Sequence, residues 1–215
     1  MSYRILSIRS LPFTGVLAIA VIAFTFTVTS AGAEDLLNTY QYGSGASGWT
    51  VAETLSGGAQ ATAMPFSTSS AVTIDEVEAA ITVIDIGSIE IGIQGSASGK
   101  PSGSYLDSET FDETSAGTLN VDFDPSNWTL AAGSYWLVIE PASSGFDSYW
   151  DWTNDPGNLA ISGAVPFTAW SAGTGDVPEA LVTANSATPE PGTLVLLGSG
   201  LTAIAGAFRR KRAAR

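Results

Sequence analysis

The chain has 215 residues, with 8 basic side chains against 21 acidic ones and neither cysteine nor histidine. That composition excludes disulfides, thiolate nucleophiles, imidazole bases and ligands, and with them serine–histidine–aspartate catalysis. From Glu34 to Thr188 one lysine, Lys100, stands against twenty carboxylates, a net charge of −19 that repels phosphate and excludes nucleic acid as a partner.

The first 33 residues read as a secretory signal. Basic Arg4 and Arg9 precede an apolar run from about Val16 to Val28, and small residues follow it, ending in Ala31-Gly32-Ala33. Cleavage after Ala33 is expected, with an uncut anchor helix as the other reading of the same run. "GSGASG", Gly43 to Gly48, has the spacing of a phosphate-cradling glycine loop, but no apolar strand leads into it and no helix follows. A flexible turn is expected there.

Residues 34–188 are long enough for one domain, and their short apolar alternations, punctuated by Gly, Ser and Asn, are those of antiparallel strands. Strands are predicted over residues 60–66, 72–83, 88–93, 118–123, 133–139, 148–152, 159–161 and 167–170. "SIEIGIQG" is the clearest: Ile89, Ile91 and Ile93 point one way and Ser88, Glu90 and Gly92 the other. The stretch from Gln94 to Leu119 is rich in Gly, Ser and acid and reads as a long surface loop. The expected fold is an all-β antiparallel β-sandwich, flanked by an N-terminal signal helix and a C-terminal transmembrane helix. The alternation fits a jelly roll and an immunoglobulin-like sandwich equally.

Two stretches offer ligand chemistry. "VDFDPSN" places Asp122, Asp124 and Asn127 close together, oxygen donors of the kind calcium takes, without the twelve-residue EF-hand pattern. "GFDSYWDWTND" combines Tyr149, Trp150 and Trp152 with Asp151. On a strand Tyr149 and Asp151 share one face and the two tryptophans the other, so one face must be core. Rings beside carboxylates suit sugar contact; a tryptophan-filled core with a solvated acidic rim is the plainer reading. A glycan hydrolase would need a carboxylate pair, and no pair stands out among the twenty, so no catalytic residue is assigned.

At the far end, Pro189-Glu190-Pro191 precedes 17 uncharged residues, Gly192 to Phe208, and then Arg209, Arg210, Lys211, Arg212 and Arg215. At about 1.5 Å per residue, such a helix only just crosses a hydrocarbon core of about 30 Å. The basic cluster would stay on the cytoplasmic side, placing the acidic segment outside, in agreement with the signal. Triplet, apolar helix and basic tail together resemble the PEP-CTERM sorting signal of exported Gram-negative proteins. The resemblance implies processing near the triplet by an exosortase, a membrane enzyme, and organisms that make exopolysaccharide. A tail anchor that is never cut is the alternative.

The order of "MPFSTSSAVTIDEVEAAI", "IEIGIQGSASGKPSGSYL", "LAAGSYWLVIEP" and "SYWDWT" is similar to choice-of-anchor type R domains. That resemblance implies a jelly-roll-like sandwich at the cell surface and no catalytic residues. Three segments are therefore expected: 1–33 as signal, 34–188 as acidic extracellular domain and 189–215 as sorting signal. The expected role is that of a non-enzymatic, cofactor-free structural or adhesive protein of the cell surface or biofilm matrix. An exopolysaccharide-binding module is the alternative, and a glycan hydrolase the third.

Overall fold

The computed structural model describes residues 33–40, 44–53 and 58–186. The signal segment up to Gly32 and everything from Ala187 on, including the apolar run from Gly192 to Phe208, lie outside these residues. What is described is all-β and antiparallel throughout. The strands are β1 (Ala33–Asn38), β2 (Ser44–Ala52), β3 (Ala61–Thr68), β4 (Val72–Asp85), β5 (Gly87–Ala97), β6 (Lys100–Glu113), β7 (Gly117–Phe123), β8 (Thr129–Leu130), β9 (Gly133–Pro141), β10 (Asp147–Ser162), β11 (Trp170–Pro178) and β12 (Ala180–Ser186).

All twelve belong to one sheet, whose path runs β1-β12-β4-β10-β3-β9-β5-β6. β10 joins its two halves. Residues 147–153 of β10 pair with β2 and β4, whereas residues 156–162 pair with β11 and β3. The strands expected separately at 148–152 and 159–161 are parts of this one strand. The chain continues instead, because Pro156 sits at the register shift, where the ladder is already interrupted and a missing N–H costs nothing. We call the part containing β1, β12, β4, β7, β8, β2 and the start of β10 the first half. The part containing β3, β9, β5, β6, β11 and the end of β10 is the second.

One core draws on both halves. β4 contributes Val72, Ile74, Val77, Ala79, Ile81 and Val83. The inward alternation jumps from Ile74 to Val77 because a bulge opposite Thr183 and Ala184 inserts a residue and resets the phase. From the second half come Ile89, Ile91 and Ile93, fully buried as the alternation predicts, together with Leu137 and Ile139.

The apolar run of β9 is buried on both faces. Trp136 and Val138 point away from the common core into a second cluster with Ala61, Ala63, Ala160, Phe167 and Trp170. Phe167 therefore belongs to the loop before β11 rather than to the strand expected at 167–170.

Other expectations change for reasons of local chemistry. Gln94 to Leu119 is not a loop: β5 runs to Ala97, and a two-residue turn at Ser98 and Gly99 leads into the 14-residue β6. Both turn residues have positive φ, 53° and 76°, which matches the twist of a tight hairpin. β6 is an edge strand, so its polar and acidic side chains face solvent and carry no apolar alternation. Nor is "GSGASG" a flexible turn, since Ser44 begins β2. Gly48 is required there because a Cβ would collide with the backbone oxygen of Trp150 and sit 2.7 Å from its carbonyl carbon.

Candidate functional site

Tyr149 and Asp151 lie on the outer face of the first half, and register explains what joins them. Residues opposite one another share a face. Tyr149 pairs with Thr82, Thr82 with Thr118, Ala80 with Asn120, and Glu78 with Asp122. All these side chains project away from the core, whose β7 contributors are Leu119, Val121 and Phe123. Thr82 donates to Asp151 Oδ2 at 2.9 Å and lies 3.0 Å from the Thr118 hydroxyl, while Asn120 donates to Glu78 Oε1 at 3.2 Å.

Glu179 completes this face. Its neighbour Ala180 is fully buried in the core, so Glu179 points outward; its N–H donates to the Asp151 carbonyl at 2.7 Å. The residue is only 5% exposed, and its Oε1 has no hydrogen-bond partner. Tyr40, just past β1, also buries an unpartnered hydroxyl here. Burial raises the Tyr40 pKa most, followed by the charges of Glu78, Glu179, Asp122 and Asp151. Glu78 is raised by burial, then by Asp122 and Glu76, against the Asn120 hydrogen bond. Asp151 is raised by burial and held back by Thr82; Glu179 is raised by burial and then by Asp151. Glu78, Asp151 and Glu179 thus resist ionisation on a face where acids are neighbours and, among the described residues, no base stands.

The tryptophans sit elsewhere. Trp150 is completely buried, and its Nε1 donates to the Glu179 carbonyl at 2.9 Å, so its ring is core and presents nothing to a sugar. Trp49, opposite Trp150 in register, meets Trp152 edge to face at 5.5 Å. Trp49 Nε1 donates to the Asp176 carbonyl on β11 at 2.6 Å. This half-buried ring pair closes the side of the molecule between β2 and β11.

Asp122 and Asp124 are exposed, and Asn127 occupies a left-handed turn at φ 76°. Among the described residues no three acidic side chains gather closely enough to hold a metal ion. The fold sets Glu78 opposite Asp122, but brings no third acidic side chain close enough to complete the calcium site expected at Asp122, Asp124 and Asn127.

A second acidic pair lies on the outer face of the second half. Glu90 and Glu140 are direct cross-strand neighbours on β5 and β9. Tyr105 reaches over Gly92, where a Cβ would come 2.7 Å from Cδ1 of its ring, and Ser108 donates to Glu90 Oε1 at 2.6 Å. Burial and then the Glu90 charge push the Glu140 carboxyl up to about 7, with Tyr105 opposing.

Glu78, Glu179, Tyr40 and the Glu90–Glu140 pair escaped the sequence reading. Each acquires its neighbours only through strand register.

Residues 187–212, directly after the last strand, match the PEP-CTERM protein-sorting motif. The likeness of the middle segment to choice-of-anchor type R domains finds no support in the family comparison. No curated protein and no solved structure matches the chain. The tail thus carries the sorting signal of exported proteins that are transiently anchored in the membrane and processed by an exosortase.

Proposed function

We propose that this chain is a non-catalytic structural or adhesive protein of the cell surface or biofilm matrix. Its segments are a signal at 1–33, a jelly-roll-like sandwich at 34–188 and a sorting signal at 189–215. The observation that carries the reading is the sorting motif at 187–212, which begins one residue after β12 ends at Ser186. An acidic, all-strand domain delivered in that way has a destination outside the membrane. Intact-mass analysis of the exported protein, with fractionation of cells that have or lack the exosortase, tests it. Loss of the tail and movement into the matrix only when the enzyme is present is the expected result; an unshortened chain in both strains overturns it in favour of a tail anchor.

The second reading is an exopolysaccharide-binding module. Tyr149 and Asp151 favour it, sharing an outer face with Glu78 and Asn120 that offers a ring, hydroxyls, an amide and carboxyls to sugar hydroxyls. Retention on a polysaccharide array that is lost in Tyr149→Ala and Asp151→Asn variants supports this reading, and no retention by the unaltered protein removes it.

A further inference from the structure

We propose that the acidic outer face of the first half binds the ammonium groups of an amine-bearing polysaccharide, a proposal that rests on the glycan-binding reading and narrows it to a ligand class. Four acidic residues share this face: Glu78 stands opposite Asp122 in register, Asp151 accepts from Thr82, and Glu179 donates its N–H to the Asp151 carbonyl. Among the described residues Lys100 is the sole basic side chain, and it stands on the hairpin between β5 and β6, in the other half of the sheet. Among the described residues the face therefore has no counterion, and a cationic ligand would balance its charge.

Glu179 points to a ligand independently of the charge count. A carboxylate oxygen that is buried without a donor costs free energy that a bound cationic donor would recover. A metal ion is the wrong size for the task. The acids come from β4, β7, β10 and the residue between β11 and β12, and spread over about two strand spacings, roughly 10 Å, instead of converging on one point. Amines repeated along a polymer match that spread. The same face carries Tyr149, Thr82, Thr118 and Asn120, which give ring and hydroxyl contacts that a sugar uses and an isolated ammonium ion does not.

The test uses the exported, processed protein and a glucosamine hexamer, with the fully N-acetylated hexamer as the uncharged counterpart. Calorimetry should show binding of the amine form that is about tenfold or more tighter than the acetylated form. The double variant Asp151→Asn, Glu179→Gln should lose about tenfold in affinity for the amine form, whereas Asp107→Asn, Glu109→Gln on edge strand β6, which removes the same charge, should stay within about twofold. If the first variant fails to fold by circular dichroism, Glu78→Gln with Asp122→Asn, at the more accessible end of the face, takes its place. Equal losses in the face and edge variants would reduce the effect to bulk polyanion attraction and overturn the site. Equal binding of both hexamers overturns the ammonium assignment while leaving the glycan reading standing, and binding of neither overturns both. Retention of the protein in the matrix, measured separately, decides the adhesive reading whatever the hexamers do.

Discussion

Ala33 pairs with Asn185 across β1 and β12, so the expected signal-cleavage site and the approach to the sorting triplet leave the domain from adjacent strand ends. Pro189 follows the last strand residue, Ser186, by three positions. An extended chain covers about 3.3–3.6 Å per residue, which holds the triplet within about 11 Å of the folded edge. This end of the domain stays close to the membrane face while the tail is anchored.

Strand β1 should therefore matter for stability, even though the cut expected after Ala33 falls inside it. Glu34 to Asn38 remain paired with β12, Leu36 and Leu37 pack against the core, and Thr39 donates to the Pro178 carbonyl at 2.7 Å. Deleting Glu34 to Asn38 should cost about 2–4 kcal/mol in urea unfolding, from the lost leucine burial and ladder bonds.

Gly48→Ala should be harmful out of proportion to its size. The methyl group has to displace the Trp150 backbone, which is held between β2 and β4 and has no room to move. A loss of about 2 kcal/mol or more is expected in the same assay. A change below about 0.5 kcal/mol would show that β2 does not approach β10 this closely.

Trp150 and Trp152 should separate in a stability measurement. Trp150→Ala empties a fully enclosed site and removes the donor to the Glu179 carbonyl, and should cost about 3–5 kcal/mol. Trp152→Ala removes a half-buried ring whose partner is Trp49, and should cost about 1–2 kcal/mol.

The pH dependence follows from Glu140. Its folded pKa of about 7 lies above the ordinary 4.5, so folding takes up a proton between those values. Stability from this group is fully present below pH 4.5, is lost as pH rises from 4.5 through 7, and is flat beyond. The loss is about 1–2 kcal/mol once solvent screening at this part-exposed carboxyl is allowed for. Glu78, Asp151 and Glu179 are shifted in the same direction and steepen the fall at its acid end. Urea midpoints at pH 5 and pH 8 should differ in the unaltered protein, and Glu140→Gln should remove part of the difference by gaining stability at pH 8.

Periodicity and charge were legible because they are local. Ile89, Ile91 and Ile93 announced a core face, and the triplet, apolar run and basic cluster announced a sorting signal, since each needs only neighbouring residues to be recognised. Polar edge strand β6 and the glycine-rich start of β2 were misread for the same reason: an edge strand needs no apolar alternation, and the use of Gly48 is apparent only when Trp150 lies against it.

By itself the sequence determined the all-β class, the strong negative charge and the sorting signal, through composition, period-two alternation and the terminal motif. Tertiary structure alone decided which side of β10 faces the core, and so placed Trp150 inside and Tyr149 and Asp151 outside. It also assembled Glu78, Glu179 and Tyr40 on one face, and Glu90 and Glu140 on another. These residues are far apart in the chain, and hydrogen-bonded register between strands, which no local pattern encodes, is what brings their charges together.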